Sequence, residues 1–305
     1  MGFRKRGMSH FLKRLKAEPV EVILFLCASS SIIFLFLMLL FIAKEGAQAF
    51  LTFGINFIIG SVWETNLDLY GAFPLIYGSL MVVAGAVVIA VPLGVVTAIF
   101  IAEVLPFSFR DLIKSLIELL ASVPSIIYGF VGLLFIAPQV ARLFGISSGT
   151  VALTASIVLA IMSIPTIVGV SGEVIAAVPR DFKDAALALG ATKWQTIKSV
   201  VIPTAKSGIL ASIMLGFGRA IGETVAVLMV AGNVALIPTP PWNYLSPVYP
   251  LTATIAMQMG EAAVGSLEYS ALFGLGMILF IVTFIVNTLA DAIVKRESKF
   301  RSGVK

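Results

Sequence analysis

Two charged residues interrupt an otherwise apolar stretch of this chain. Arg219 and Glu223 lie within residues 208–228, a stretch long enough, at 1.5 Å per helical residue, to cross a lipid bilayer. A charge at the centre of a bilayer costs roughly 2.5–3.5 kcal/mol on insertion scales. In a continuous helix, residues four apart share one face, so each of these charges would offset the other. The pair is the place in the chain where chemistry is most strongly indicated.

Two interpretations of this pair stay open at this point. In the first, it is an internal ion pair that locks helices together. In the second, the Arg219 guanidinium lines a path for a charged solute, because its planar fork of donors matches an oxyanion with two hydrogen bonds. Glu223 would neutralise Arg219 when the path is empty and compete with a bound anion, since conduction requires release as well as entry. Thr224, the next residue, is the third that we assign to such a path.

The same stretch carries two glycines at helical spacing. Gly218 and Gly222 are four residues apart, which predicts a small-residue face that allows close helix approach. The charged face lies about 100° round the helix from it, free to point at a lumen.

The composition predicts an integral membrane protein that is all helical. Hydrophobic residues make up 59% of the 305 residues and charged residues 12%, about half the usual share of ~25%. The mean hydropathy is +1.05. Cys27 is the single cysteine and His10 the single histidine, which argues against a disulfide framework, a metal cluster or histidine-based catalysis. An enzyme is therefore the function class with the least support.

Six segments are long and apolar enough to span a bilayer. We predict spans near residues 20–43, 74–103, 113–137, 150–176, 207–236 and 270–293. The first is too long for a signal-peptide core and is read as a retained span. Three prolines, Pro92, Pro124 and Pro165, are predicted to lie inside spans, as kinks or simple bends.

The basic residues predict the orientation of these spans. Of the 21 Lys and Arg residues, Lys44 and Arg142 fall on one side, Arg219 falls in the membrane, and all others fall on the opposite side. Basic residues favour the cytoplasmic side, so both termini are predicted to be cytoplasmic. This distribution also accounts for the net charge of +5 without a nucleic-acid partner.

The predicted outer segments have two features of their own. Residues 50–59 form an amphipathic piece that could lie at the membrane interface. Residues 237–269 contain no Lys or Arg and suit a surface on which a soluble partner docks, although a plain loop would look similar. An internal repeat is not evident, which weakens an inverted-repeat secondary transporter.

The segment between the fourth and fifth spans predicts a helix, a turn and a second helix. Pro179 and Asp181 suit the start of the first helix, and Gly190 suits its end. Thr192 and Gln195 have the spacing of a capping box for the second helix. We expect Pro203 to end that helix.

This segment resembles the coupling segment of binding-protein-dependent ABC importer permeases. The family pattern is an acidic residue, two alanines, three residues, glycine, nine residues, and then aliphatic, any, aliphatic and proline. Every position is matched here, by Asp184, Ala185, Ala186, Gly190, Val200, Ile202 and Pro203. Asp in place of the commoner Glu is a mild departure.

Three further stretches resemble phosphate-specific permeases of this family. Residues 218–227 (GRAIGETVAV) and 251–262 (LTATIAMQMGEA) look like its signatures, as do Gly232-Asn233 and residues 123–129 (VPSIIYG). The outer-loop motif and the long basic N-terminus are closer to the PstC type than to its PstA-type partner. The resemblance runs from about residue 72 to the last span.

The resemblance implies a type I ABC importer permease that forms half of a phosphate pathway in the cytoplasmic (inner) membrane. It implies a core at 72–293 with a coupling loop at 179–206, preceded by an N-terminal tail, first span and outer segment at 1–71 and followed by a basic tail at 294–305. The implied partners are a PstA-type permease, two ATP-binding subunits, an extracytoplasmic phosphate-binding protein and membrane lipid. The chain has no Gly-x-x-x-x-Gly-Lys-Ser/Thr loop, so ATP and magnesium are expected in the ATPase partners and no cofactor in this chain.

Two alternatives remain. The arginine chemistry alone does not separate phosphate from molybdate, tungstate or sulfate. A self-contained secondary transporter or channel would work without an ATPase, and the coupling segment counts against it.

Overall fold

The computed structural model describes residues 19–302, and nearly all of its regular structure is helical. The basic N-terminal residues before Pro19, including His10, and the last three residues lie outside the described residues. The helices are α1 (Pro19–Phe53), α2 (Asn56–Ile59), α3 (Phe73–Ile99), α4 (Phe107–Ser122), α5 (Ser125–Val131), α6 (Ala137–Phe144), α7 (Ala152–Ala176), α8 (Arg180–Ala188), α9 (Lys193–Thr196), α10 (Ile202–Gly222), α11 (Val225–Val230), α12 (Leu251–Gln258) and α13 (Leu267–Ser302).

Several short elements join these helices. Strands β1 (Trp63–Glu64) and β2 (Leu69–Tyr70) pair antiparallel around a 3₁₀ turn. Three π-helical turns continue α3, α5 and α9, at Phe100–Val104, Gly132–Ile136 and Ile197–Val201.

Six helical segments of the described chain are long and apolar enough to cross a membrane, which confirms the predicted number. They are Val22–Phe53, Phe73–Val104, Ser125–Phe144, Ala152–Ala176, Lys193–Gly222 and Leu267–Leu289. Pro92 and Pro165 lie inside helices, as expected.

The third span differs from its predicted bounds of 113–137. Residues 107–122 form the separate helix α4, and the span begins only at Ser125. The residue before a proline is disfavoured in the helical region. Accordingly, Val123 is extended, with ψ at 129°, and Pro124 caps α5 instead of lying inside a span.

The fifth span also differs from its predicted bounds of 207–236. The helix runs from Lys193 and ends at Gly222, where Glu223 takes an extended conformation with ψ at 131°. The chain becomes helical again only in the short α11. The apolar run after Glu223 concealed this break in the sequence.

The core is built where α7 packs against α3 and α10, while α13 packs along α1. Ile167 of α7 sits between two glycines: a Cβ on Gly94 would lie 2.8 Å from its Cγ2, and a Cβ on Gly216 would lie 2.7 Å from its Cγ1. Since any side chain at either position would collide with Ile167, these glycines set the spacing of α3, α7 and α10.

The two segments predicted to lie outside the membrane pack more closely than expected. Phe57, in the amphipathic piece 50–59, is fully buried and contacts the Phe50 ring edge to face, with centroids 4.9 Å apart, while Leu51 is exposed. The loop predicted as a docking surface contains α12, whose first four residues are buried. These four residues are withdrawn from any docking surface, because α12 folds back into the core; the docking expectation for the rest of residues 237–269 stays a prediction. Trp242 remains exposed.

Candidate functional site

Arg219 lies three residues before the end of α10, half-buried between two other helical elements. Its Nη1 donates to Thr166 Oγ1 at 3.2 Å, and its Nη2 donates to the Ala121 carbonyl at 3.4 Å. Thr166 is 14 residues into the 25-residue helix α7, which corresponds to about 21 Å of roughly 37 Å. The guanidinium therefore lies level with the middle of α7.

Local packing explains why these groups meet. Gly216 is one turn before Arg219 and rests on Ile167, the neighbour of Thr166. The contact that brings α10 against α7 thus also sets the level of the guanidinium beside the threonine hydroxyl.

The Ala121 carbonyl is available because α4 ends one residue later. The last carbonyls of a helix have no partner within the helix, and the turn at Val123–Pro124 prevents its continuation. The Tyr128 hydroxyl, from the predicted 123–129 motif, donates to the Leu120 carbonyl at 2.7 Å and holds the same turn.

Glu223 does not pair with Arg219, which corrects the prediction of one helix face with mutually offset charges. The ion pairs found among the described residues are Lys44–Glu45 and Lys183–Glu103. The physical reason is the break in the helix: extended backbone at residue 223 turns its side chain away from the Arg219 face. Glu223 Oε1 instead accepts a long bond from the Ala226 N–H at 3.5 Å, at the start of α11.

A hydroxyl of α12 stabilises the break itself. Thr252 Oγ1 donates to the Glu223 carbonyl at 2.9 Å. Thr224, the third residue assigned to the path, is half-buried in the break, and its hydroxyl faces the Gly222 carbonyl at 3.4 Å. Arg219, Glu223 and Thr224 are thus together at one interruption of the fifth span.

The close helix approach predicted at Gly218 and Gly222 is not made within the described chain. A Cβ added at either glycine would meet nothing within 4 Å. This face of α10 is open, and its packing role stays a prediction.

Sequence reasoning missed three contributors to the site: Thr166, the Ala121 carbonyl and Thr252. Thr252 lies within the 251–262 motif, which was a usable signal. For the Ala121 carbonyl the sequence carries no signal, since a backbone group is exposed only by the end of α4.

The helix–turn–helix prediction between the fourth and fifth spans is confirmed. Pro179 caps α8, Gly190 has a φ of +82°, and Thr192 and Gln195 make both bonds of the capping box. Pro203 does not end the second helix as expected; it lies in the first turn of α10 inside a continuous span. The preceding π-helical turn has wider i→i+5 bonding, which accommodates a residue without an N–H.

The face of this segment is suited to a partner. Asp184 and Ala185 are exposed and Ala186 is half-buried. Four large apolar side chains beside them are exposed, namely Phe182, Leu187, Leu189 and Trp194. Exposed large apolar side chains on a segment outside the predicted spans favour an interaction surface.

Behind the segment lies a charged cavity of about 360 Å³ between α8, α9 and the end of the second span. Arg110, Arg180 and Lys193 line it, together with Asp184. The Lys183–Glu103 ion pair also lies in its wall.

Comparison with known proteins identifies the family. The model of the family "Binding-protein-dependent transport system inner membrane component" matches residues 90–299. The phosphate transport system permease protein PstC of Mesorhizobium japonicum is 38% identical over 268 residues, 82% of this chain and 81% of that protein. PstC of Xylella fastidiosa Temecula1 is 36% identical over 97% of this chain and 93% of its own. The probable ABC transporter permease protein YqgH of Bacillus subtilis is 36% identical over 81% and 80% of the two chains.

Solved structures of ABC importers share the fold. A bacterial ABC transporter that imports the acidic polysaccharide alginate matches with a TM-score of 0.61 at 14% identity, covering 94% of this chain and 99% of that one. An inward-facing form of the MetNI methionine transporter matches with a TM-score of 0.54 at 18% identity, covering 74% and 94%. Six spans, a type I importer fold and these relatives agree: the chain is a multi-pass membrane transport subunit that belongs to the family of binding-protein-dependent transport system inner membrane components, among the PstC-type permeases.

Proposed function

We propose that this chain forms one half of the phosphate pathway of an ATP-driven importer in the cytoplasmic membrane. The observation that carries the proposal is the position of Arg219: its guanidinium lies level with the middle of α7, is oriented by Thr166 and the Ala121 carbonyl, and stands three residues before the break that ends its own helix. The names of the PstC relatives support phosphate as the solute.

Arg219 has hydrogen-bonding capacity to spare for an anion. A guanidinium carries five N–H donors, and two of them are used by the protein. The two protein acceptors are neutral, so they orient the guanidinium without cancelling its charge. The remaining donors can bind phosphate oxygens with charge-assisted bonds.

Glu223 is the residue that keeps this binding weak and selective. Within residues 19–302, the bond found for its carboxylate is a long one from the Ala226 N–H. Near neutral pH phosphate retains a proton and can donate to a carboxylate, whereas sulfate is fully ionised and would be repelled. Thr224, in the same break, offers a hydroxyl that serves either ion.

The coupling segment at 179–206 would be the docking site of the ATPase. Its exposed apolar side chains, with Asp184, Ala185 and Ala186 alongside, suit docking of an ATP-binding subunit. Gly190 provides the turn, and Pro203 marks the entry of the segment into α10. ATP and magnesium belong to two such subunits, and this chain contributes no catalytic group.

The remaining assembly follows from the same reasoning. A PstA-type permease completes the pathway, with the open Gly218/Gly222 face available for close approach. An extracytoplasmic phosphate-binding protein delivers the solute, both termini are cytoplasmic, and lipid surrounds the exposed apolar face of α1. The core is 72–293, flanked by 1–71 and by the basic tail 294–305.

Uptake in proteoliposomes tests the solute. The chain is reconstituted with its permease, ATPase and binding-protein partners, and uptake of radiolabelled phosphate is measured with and without internal ATP. We expect ATP-dependent uptake that excess sulfate or molybdate does not reduce. Uptake of sulfate or molybdate in place of phosphate would assign the second candidate, another oxyanion. Uptake without the ATPase would contradict an ATP-driven importer of either solute. Membership of the importer family argues against that outcome.

A further inference from the structure

One ion pair of this chain is largely withdrawn from solvent. Lys183 Nζ lies 2.6 Å from Glu103 Oε1, and the two side chains are 19% and 12% exposed. Such a pair is costly to desolvate, and removing one partner leaves a charge without compensation. The Lys44–Glu45 pair, by contrast, has an 80% exposed lysine.

The two partners of this ion pair lie on different structural elements. Lys183 is on α8, which otherwise packs against α9 and the π-helical turn after it. Glu103 is in the π-helical turn Phe100–Val104 that ends the second span.

The turn that contains Glu103 is packed into a buried cluster of the protein. Its neighbours Ile101 and Ala102 are buried in a cluster with Ile175 of α7 and Val201 at the start of the fifth span. A displacement of Glu103 must therefore displace the end of the second span, because a close-packed cluster transmits strain.

The second span leads from Glu103 to the Arg219 site. Gly94 lies nine residues before Glu103, or about 14 Å along the helix. It contacts Ile167, the neighbour of Thr166, which in turn holds Arg219. A contiguous series of packed groups thus joins α8 to the guanidinium.

We propose that the Glu103–Lys183 ion pair is the link through which movement of α8 reaches the second span and the Arg219 site. Both are positioning residues, since neither touches the solute. The link rests on the proposed function in one respect, namely that an ATPase drives α8. If the ion pair is removed, the ATPase hydrolyses ATP without displacing the second span and the Arg219 site.

The test measures ATP hydrolysis and phosphate uptake in the same proteoliposomes. The variants are Glu103→Gln, Lys183→Met, the exchange Glu103→Lys with Lys183→Glu, and the conservative Lys183→Arg. Allosteric coupling is typically worth about 5- to 150-fold, so we expect each single neutral variant to transport at least about fivefold less phosphate per ATP. The exchanged pair and Lys183→Arg should recover most of the ratio. Neutral variants at Lys44 and Glu45 provide the matched control and should leave the ratio unchanged.

Three results would overturn the link: an unchanged ratio in the neutral variants, an exchanged pair no better than either single change, or an equal loss in the Lys44 and Glu45 controls. Size-exclusion chromatography verifies that each complex assembles. Where a neutral variant fails to assemble, Lys183→Arg keeps the test valid.

A second readout separates this proposal from the choice of solute. In a Cys27→Ser background, the cysteine of Ser122→Cys lies beside the Ala121 carbonyl and reports its accessibility to a thiol reagent. We expect ATP to change the labelling rate, and Glu103→Gln to abolish that change while hydrolysis continues. An ATP-dependent change without phosphate uptake in the wild type would refute phosphate as the solute and leave the link supported. A change that persists in Glu103→Gln would refute the link.

Discussion

Replacing Arg219 by lysine preserves the positive charge and removes the planar set of N–H donors that a guanidinium presents. The guanidinium reaches Thr166 Oγ1 and the Ala121 carbonyl with different nitrogens and keeps three N–H groups for an anion. A lysine ammonium has three donors at one point, so satisfying both protein acceptors leaves one donor and no bidentate contact. The variant therefore tests geometry rather than charge.

The magnitude follows from the lost contact. A hydrogen bond to a charged group is worth about 1.5–3 kcal/mol. If one such bond to phosphate is lost in the rate-limiting state, kcat/KM for uptake falls roughly 10- to 150-fold, at 1.36 kcal/mol per factor of ten.

The assay is ATP-dependent phosphate uptake at several external phosphate concentrations, with binding protein in excess. Arg142→Lys is the matched control, because Arg142 is exposed at the end of α6. It should transport at the wild-type rate. If Arg219→Lys in a fully assembled complex also does so, the guanidinium is structural and the pathway role is refuted.

Two further predictions concern residue Gly190 of the segment 179–206 and the hairpin formed by β1 and β2. Gly190→Ala should lower the stability of the purified complex by about 1–2 kcal/mol, since φ is +82° and an added Cβ meets nothing within 4 Å, which leaves backbone strain as the cost. Gly169→Ala, in α7 with equally open space, is the control; equal thermal unfolding of the two variants would contradict this reasoning. Burial, with Glu268 and Asp68 adding repulsion, raises the pKa of Tyr70 to about 12. The unfolded value is about 10, so this stabilisation is complete below pH ~10 and is lost as the pH rises towards 12. Between about pH 10 and pH 12 the unfolding temperature of the wild type should fall more steeply with pH than that of Tyr70→Phe. If the unfolding temperatures of the two proteins fall in parallel, the raised pKa of Tyr70 is refuted.

Features governed by local chemistry were readable in the sequence. The number of spans follows from the length of apolar runs: each of the six predicted spans overlaps an observed one, and four of them begin within three residues of it. The capping box of Thr192 and Gln195 and the left-handed Gly190 were predicted correctly, because each depends only on residues a few positions away.

The bounds of the third and fifth spans needed more than hydropathy. A sliding count of apolar residues joins α4 to α5 and α10 to α11, because it does not register a backbone turn between two apolar stretches. Pro124 was a usable signal for the first of these turns. For the second, the hydroxyl that satisfies the Glu223 carbonyl comes from Thr252, 29 residues away.

The sequence by itself determined the membrane-spanning class and the helix–turn–helix at 179–206, and it singled out Arg219 and Glu223 as candidate pathway residues. Only the tertiary structure decided which groups these two charges contact. It separated them at a helix break, held Arg219 with Thr166 and the Ala121 carbonyl from elements 53 and 98 residues away, and paired Lys183 with Glu103 across 80 residues. The physical reason is the same in each case: a polar group in an apolar layer takes whichever partner the packing of distant helices brings within hydrogen-bonding distance, and spacing along one helix does not encode that choice.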